Sequence, residues 1–201
     1  MQRTTRLAPA SAAFEAPFMA LARGTLLATP QGPTAIEDIV PGMDVTTLDG
    51  TARPVLWKGA TSLLPGTGSQ SEEARQLIRI PAGAMGILRP SHDLLLGFGA
   101  RIVQRGRMVR ATQLVDGEAA LAVRPQSPVE CFHIALPEHG AVRANGLDVE
   151  TCHPGPAARH FARSDMRQLF LSLFPHVEDF ADFGPLRFPR AVEDGDLAPG
   201  T

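Results

Sequence analysis

Short apolar runs separated by turn residues organise the first third of the chain. Residues 25–29 (TLLAT) form an apolar, β-favouring run, which predicts a buried strand. A Pro/Gly-rich turn follows, and residues 35–39 (AIEDI) predict a single helical turn. Residues 43–48 and 51–58 are β-rich and flank Asp49-Gly50, a dipeptide that predicts a hairpin. This density of short elements predicts a compact, mainly β fold.

The same pattern continues to residue 144. Further β-rich runs bounded by Gly or Pro are Leu77–Ile80, Leu94–Leu96, Arg101–Gln104, Arg107–Val109, Ala119–Val123, Val129–Leu136 and Ala141–Ala144. The last two of these runs predict a hairpin closed by residues 137–140, and the Gly/Ser/Pro-rich residues 60–73 predict a loop. The apolar strand positions predicted to be buried are Leu26, Val45, Val55, Trp57, Ile78, Leu95 and Ile102.

The hydrophobic period changes from that of strands to that of a helix after Pro154. Ser164 is a favourable N-cap, and Pro175 predicts the end of the helix. The apolar positions that share one face of this helix are Met166, Leu169, Phe170 and Leu173. We therefore predict a mobile N-terminal tail (1–15), a β domain (16–155), a helical extension (156–190) and a second mobile tail (191–201).

Composition agrees with one folded domain and excludes several classes of partner. The 201 residues are 44% hydrophobic and 20% charged, which is enough for a core and argues against disorder. The net charge of −2 leaves no basic stripe for phosphates, so we predict no nucleic acid partner. No apolar run is long enough for a membrane span or a secretory signal, and two cysteines make no disulfide framework, so a cytoplasmic location is predicted.

Four ordered motifs carry a resemblance to a known family. Residues 24–50 contain G-T-x-[LI]-x-T-x-x-G, P-G-x-x-V and D-G, and residues 78–93 contain R-I-P-x-G-x-x-G-x-x-R-P-x-x-D. Residues 109–117 read V-x-A-x-x-L-V-D-G, and residues 129–154 combine F-x-H with an x-G-x-x-x-E-x-x-x-P ending. The series resembles the Hint domain (hedgehog/intein module), in particular bacterial stand-alone Hint proteins. The resemblance covers Ala16 to Gly155 and implies a mainly β, Hint-like horseshoe, with the helical extension outside it.

The resemblance also implies a chemistry, whose two central groups are missing here. Active Hint domains begin with a nucleophile, usually Cys, that attacks the preceding carbonyl, and a His assists proton transfer. The nucleophile position corresponds to Ala20, and the His of the family's S-P-x-H segment corresponds to Ala100. A methyl group can neither attack a carbonyl nor transfer a proton. Replacement of Ser-Pro by Gly97-Phe98 favours natural divergence over engineered substitution at the two alanines.

Several polar residues of the family pattern remain as candidates for a residual site: Thr25, Asp93, His133 and His139. Each has a plain structural alternative as a hydrogen-bonded strand or turn residue. Cys131, His133, Cys152 and His153 supply metal-ligand types, but their spacing is not typical of zinc sites, so we predict no metal and no cofactor.

The missing groups predict a Hint domain that has lost self-cleavage and acts as a non-catalytic interaction or regulatory module for an unknown protein partner. The alternative is an autoprocessing Hint domain that uses a non-standard nucleophile. A small-molecule hydrolase is disfavoured, because the chain contains no G-x-S-x-G, H-E-x-x-H or phosphate-binding glycine loop.

Overall fold

The computed structural model describes residues 11–65, 73–155 and 164–191. The strands are β1 (Leu21–Ala22), β2 (Leu26–Leu27), β3 (Thr34–Ala35), β4 (Asp44–Thr46), β5 (Ala52–Pro54), β6 (Trp57–Leu63), β7 (Leu77–Ile80), β8 (Leu94–Gly97), β9 (Arg101–Gln104), β10 (Arg107–Arg110), β11 (Leu121–Val123), β12 (Val129–Ala135), β13 (Ala141–Ala144) and β14 (Leu147–Glu150). The α-helices are α1 (Ala12–Glu15) and α2 (Ser164–Leu171), and 3-10 helices span Ala16–Phe18, Glu73–Arg75, Ala111–Leu114 and Phe180–Phe183.

The strands form two six-stranded sheets and one separate hairpin. The first sheet has the order β11-β7-β8-β1-β12-β6, the second has the order β10-β9-β14-β13-β2-β3, and β4 pairs with β5. All pairings between these strands are antiparallel. The prediction of a mainly β fold is confirmed. The short strand β1 lies between β8 and β12, so the residues that enter it sit at the centre of the molecule.

Turn chemistry fixes two hairpins whose turns contain an acidic or amide residue followed by Gly, and the sequence predicted one of them. The β4–β5 hairpin forms around Asp49-Gly50 as predicted, with Gly50 at a φ of 81°. The predicted pairing of Ala141–Ala144 with the run from Val129 is wrong, because β13 pairs with β14 instead. Asn145-Gly146 closes that hairpin with positive φ at both residues, which is the geometry that the dipeptide favours.

Long-range pairing overrides the local signal in two other predicted segments. Of the predicted helical turn at residues 35–39, Ala35 belongs to strand β3, where it pairs with Leu26, and a single turn follows in which the Asp38 N–H donates to the Ala35 carbonyl (2.9 Å). The predicted loop at residues 60–73 is strand up to Leu63, because β6 pairs along its length with β12. Residues 66–72 of that loop lie outside the described residues.

The main core fills the space between the sheets, and most of the predicted core positions belong to it. Val45, Val55, Trp57, Ile78 and Ile102 are buried, as predicted. Leu26 and Leu95 are only half-buried, so these two predictions are wrong. Successive strand residues point to opposite faces, and here the inward positions are Leu27, Leu94 and Leu96, which are completely buried.

The C-terminal extension packs against the β domain through aromatic side chains. Helix α2 ends at Leu171, before Pro175, and Phe170 is the completely buried centre of its apolar face. Met166, Leu169 and Leu173 are half-buried around it. Phe174 is also completely buried, and its ring centroid lies 4.7 Å from that of Trp57 on β6.

Residues 184–191, here called the C-terminal strap, continue from the extension along strand β10. The backbone N–H of Met108 donates to the carbonyl of Pro189 (2.9 Å), and the N–H of Ala191 donates to the carbonyl of Met108 (2.8 Å). At the other end of the chain, α1 buries Phe14, whereas residues 1–10 of the predicted tail lie outside the described residues. None of the helices in the described ranges has the length and apolar character needed to cross a membrane.

Candidate functional site

The position that the resemblance assigns to the nucleophile lies at the entrance to the central strand. Ala20 directly precedes β1, and its methyl group is completely buried in the main core. The Ala20 carbonyl accepts a 3.0 Å hydrogen bond from the N–H of Gly97, and the Met19 carbonyl accepts one of 3.0 Å from the N–H of Gly99. The carbonyl of the Met19–Ala20 peptide bond and the next carbonyl along the chain are therefore both held by the end of β8 and the loop that follows it.

That loop also carries the position that the resemblance assigns to the catalytic His. Ala100 is completely buried, and its N–H donates to the Gly97 carbonyl (3.0 Å) to close a tight turn. A Cβ at Gly97 would lie 2.3 Å from the Met19 carbonyl oxygen, and one at Gly99 would lie 2.1 Å from the Ala16 carbonyl oxygen. Both separations are far shorter than van der Waals contact, so glycine is required for this close approach.

His133 on β12 joins the segment before Ala20 to the end of β14. Its side chain is buried, with Nδ1 3.2 Å from the Pro17 carbonyl oxygen and Nε2 3.1 Å from the Glu150 carbonyl oxygen. Both partners are acceptors, whereas a neutral imidazole carries one N–H, which can donate to only one of them at a time. Burial lowers the pKa of His133, so the ring is neutral near pH 7.

His139 lies in the loop between β12 and β13, and its hydrogen bonds define its tautomer. Its Nδ1 accepts the backbone N–H of Arg187 in the C-terminal strap (3.1 Å), so the ring proton is on Nε2. Nε2 lies 3.0 Å from the Oε1 atom of Glu150 and therefore donates to that carboxylate. Both ring nitrogens of His139 are therefore used in hydrogen bonds, which agrees with the alternative that this residue is a hydrogen-bonded turn residue.

Glu150, at the end of β14, is a buried carboxylate surrounded by cations. Arg190 Nε donates to its Oε1 atom (3.0 Å), and the guanidinium of Arg101 lies 3.4 Å from its Oε2 atom. Burial raises the pKa of Glu150, but the hydrogen bond from His139 and the two arginine charges lower it by more, to about 2. The charge of Glu150 is thus balanced inside the protein by Arg101 of β9 and Arg190 of the strap.

His153 also belongs to this polar region and contacts the C-terminal strap. Its Nδ1 accepts the N–H of Gly155 (2.9 Å), and its Nε2 donates to the carbonyl of Gly184 (2.9 Å). Burial lowers the pKa of His153 to about 4, so this ring is also neutral near pH 7. The guanidinium of Arg190 donates to the carbonyl of His153 (2.7 Å), which fixes the strap to the end of the β domain.

Thr25 and Asp93 make local bonds. The Thr25 hydroxyl is buried and donates to the Ala22 carbonyl at 2.7 Å. Asp93 accepts the N–H of Ala82 (3.0 Å) and pairs with the guanidinium of Arg79. The bond from Ala82 and the bond from Arg79 lower the pKa of Asp93. The turn-capping alternative therefore describes Asp93, and a catalytic role for either residue stays a prediction.

The two cysteines are buried in apolar surroundings. Burial raises the pKa of Cys131 to about 12 and also raises the pKa of Cys152. The Sγ atom of Cys152 lies 3.9 Å from the Pro17 carbonyl oxygen, where it is a weak donor. No group of three or more His, Cys, Asp or Glu side chains in the described ranges is arranged to hold a metal ion.

The neutral buried histidines predict a loss of stability in mild acid. The pKa of His153 is 6.5 in an unfolded chain and about 4 in the folded protein, so unfolding takes up a proton between these pH values. The free energy of unfolding should therefore fall as the pH is lowered from 6.5 towards 4, by up to about 1.4 kcal/mol per pH unit for one group. His133 acts in the same direction, because its pKa is also lowered.

Urea unfolding at a series of pH values measures this slope. His153→Gln keeps a side-chain donor but removes the titration, so it should flatten the slope between pH 6.5 and 4. His92→Gln, at an exposed position, is the matched control for the loss of a histidine, and the change in slope is taken relative to it. An unchanged slope in His153→Gln would show that His153 is protonated equally in both states.

The sequence analysis missed the charged part of this region. Glu150 stands in the quoted x-G-x-x-x-E-x-x-x-P ending, but nothing in a strand sequence indicates a buried, neutralised carboxylate. Arg101 lies 49 positions from Glu150 and Arg190 lies 40 positions from it, so only the tertiary fold brings them together. All four residues of the strand LDVE are buried, including Asp148 and Glu150, and their charges require partners that the fold supplies.

Comparison with known proteins places this geometry in a family. The model of the Hint domain matches residues 19–156. Solved structures with a similar fold include the bacterial intein-like domain of Clostridium thermocellum, at 16% identity and a TM-score of 0.48, over 66% of this chain and 98% of that one. The MchDnaB-1 intein is 20% identical, with a TM-score of 0.46, over 66% of this chain and 99% of that one. No curated protein matches the chain.

Proposed function

The chain belongs to the Hint domain family, and on that premise we propose that its domain no longer cleaves itself and serves as a non-catalytic interaction or regulatory module. The observation that carries the proposal is the chemistry at the Met19–Ala20 peptide bond. In the family, the nucleophile stands at position 20 and a His at position 100. Here both positions hold completely buried methyl groups.

The remaining heteroatoms near this bond are poor substitutes for the nucleophile. The Thr25 hydroxyl donates to the Ala22 carbonyl, and the backbone atoms of Thr25 belong to the turn after β1. Burial keeps the thiols of Cys131 and Cys152 protonated, whereas the thiolate is the reactive form. An acyl shift needs a nucleophile placed to attack the Met19 carbonyl.

Proton transfer to a departing amine is also unsupported. His133 is neutral and its single N–H donates to one of two backbone carbonyls, and His139 is held between Arg187 and Glu150. Met19, Ala20 and Ala100 are completely buried, so bulk water has no direct access to the bond. General acid–base assistance is worth about 10²–10⁴ in rate, and its loss together with the nucleophile supports a bond that is stable on laboratory timescales.

One observation favours the alternative, an autoprocessing domain with a non-standard nucleophile. The N–H of Gly99 points at the Met19 carbonyl oxygen from 3.0 Å, as a donor that stabilises a developing oxyanion would. A donor of this kind accelerates an attack but does not supply the attacking atom. We therefore favour the non-catalytic reading.

The two readings differ in the mass of the purified protein. We expect a single species at the full mass of 21.4 kDa after overnight incubation at neutral pH, and the same species after addition of hydroxylamine or dithiothreitol. Hydroxylamine captures any ester or thioester that forms in the chain. A hydroxylamine-dependent fragment that begins at Ala20 or near it would support the autoprocessing alternative.

A further inference from the structure

The segment that leads into the family match, up to its first residue, is bound to the rest of the protein as a ligand would be. Residues 11–19, here called the N-terminal flank, bury Phe14 and Met19 almost completely. The Phe14 ring meets Phe170 edge-on with centroids 5.8 Å apart. The Phe18 ring meets Trp57 in the same way at 5.5 Å. Both ends of the flank are thus anchored by aromatic contacts.

The backbone of the flank is also recognised through its carbonyls. The Pro17 carbonyl oxygen lies 3.2 Å from Nδ1 of His133 and 3.9 Å from Sγ of Cys152. The Met19 carbonyl accepts the N–H of Gly99. The groups that contact these carbonyls come from three separate parts of the chain: strand β12, the residues after β14 and the turn after β8.

Two glycines leave the space that the flank occupies. A Cβ at Gly97 would lie 2.3 Å from the Met19 oxygen, and one at Gly99 would lie 2.1 Å from the Ala16 oxygen. Neither glycine has the positive φ that would itself require glycine. The space for the flank is therefore what glycine provides at these two positions. A Cβ at Gly59 on β6 would meet the Trp57 ring first, at 2.2 Å, and the Phe18 ring at 2.5 Å.

We infer that this surface is a peptide-binding groove, and that the chain's own N-terminal flank occupies it in cis. The inference deepens the proposed function and rests on it, because it names what the interaction module holds. The ligand is a short segment with two Phe residues four positions apart, with Pro before the second and Glu15 as its one charged residue. The C-terminal extension closes the groove through Phe170 of helix α2 and Phe174 beyond its end, which contact Phe14 and Phe18 respectively.

The test empties the groove in the full-length chain and offers the ligand in trans. The substitutions Phe14→Ala and Phe18→Ala, made together, remove both aromatic anchors of the flank. The probe is a fluorescein-labelled peptide with the sequence of residues 8–19 (APASAAFEAPFM), followed by fluorescence anisotropy. We expect the probe to bind the doubly substituted chain at least about tenfold more tightly than the natural chain, in which the tethered flank competes at an effective concentration on the order of millimolar.

Two controls separate groove binding from nonspecific contact. A probe in which both Phe residues are Ala should not bind. Adding Gly99→Ala to the doubly substituted chain should abolish binding of the original probe, because the new Cβ overlaps the path of the peptide backbone. Trp57 is the only Trp in the chain and its ring meets Phe18, so a change in its emission on adding the probe is a second readout of binding.

The inference is overturned if the doubly substituted chain is folded by circular dichroism but does not bind the probe, or if the natural chain binds it equally well. If the double substitution prevents folding, Phe18→Ala alone replaces it, since that ring is only half-buried. The mass of each sample is measured in parallel. An intact chain without probe binding refutes the groove and leaves the loss of cleavage standing, whereas a cleaved chain that binds the probe does the reverse.

Discussion

Replacing Phe170 by Ala is expected to lower the free energy of unfolding by about 3–5 kcal/mol. Phe170 is completely buried between the β domain and the N-terminal flank. Its ring contacts Phe14 at 5.8 Å and Phe174 at 5.1 Å between centroids. The substitution removes the ring that packs the N-terminal flank against the C-terminal extension. The rigid strands on one side prevent the resulting cavity from collapsing.

Urea denaturation followed through Trp57 emission measures this effect. Leu169→Ala is the matched control on the same helix, and it should cost about 1–2 kcal/mol, because that side chain is only half-buried. Equal losses for the two substitutions would mean that helix α2 presents a different face to the β domain. A loss below about 1 kcal/mol for Phe170→Ala would mean that the extension is not docked.

Replacing Glu150 by Ala is expected to cost about 3–5 kcal/mol, the second large effect. The substitution leaves Arg101 and Arg190 nearly buried without the carboxylate that balances them. It also removes the acceptor of the His139 N–H. Since Arg190 belongs to the C-terminal strap, we expect the strap to detach before the β domain unfolds. Detachment should appear as faster hydrogen exchange at the amides of Met108 and Ala191, because the Met108 N–H donates to the Pro189 carbonyl and the Ala191 N–H donates to the Met108 carbonyl.

Glu130→Ala is the matched control for this prediction. Glu130 pairs with Arg23 at the surface, where both side chains are well exposed, and surface ion pairs contribute about 0–1 kcal/mol. If Glu150→Ala costs no more than Glu130→Ala, the buried charges are accommodated in some other way, and the strap is not held by Glu150.

The hairpins illustrate how much of the fold is readable from the sequence. Asp49-Gly50 and Asn145-Gly146 carry the same kind of turn signal, and both close hairpins. The second was overlooked because residues 129–136 and 141–144 look like a natural pair across a Pro/Gly turn. Strand β12 instead pairs with β6 and β1, which lie about 70 and 110 positions earlier, and no local signal can indicate such pairings.

Register errors have an equally simple cause. Leu26 and Leu95 stand in runs of consecutive leucines, and the apolar pattern alone does not decide which of two neighbours faces inward. The period of a strand is two residues, so an error of one position exchanges the core face and the outer face. Burial of Leu27, Leu94 and Leu96 in place of Leu26 and Leu95 is this single-residue exchange.

The candidate site was predictable where it rests on motif positions and not where it rests on tertiary contacts. Ala20 and Ala100 were identified by their offsets from motifs, and the Gly97–Ala100 turn does meet the backbone of Met19 and Ala20. The balance of Glu150 by Arg101 and Arg190, and the hold of His133 on the flank at Pro17, depend on the folded chain. The first part of the flank was assigned to a tail because residues 8–13 consist only of Ala, Pro and Ser.

The central claim is that self-cleavage is lost because a nucleophile and a histidine are missing, and a comparison of two chains by time-resolved intact mass tests it most directly. The natural chain is measured beside a chain carrying Ala20→Cys and Ala100→His, both incubated with and without dithiothreitol. We expect the natural chain to stay at 21.4 kDa throughout, while the substituted chain yields a thiol-dependent species that lacks residues 1–19. Formation of that species by the natural chain, in a protease-free preparation and at a rate similar to that of the substituted chain, would contradict the account.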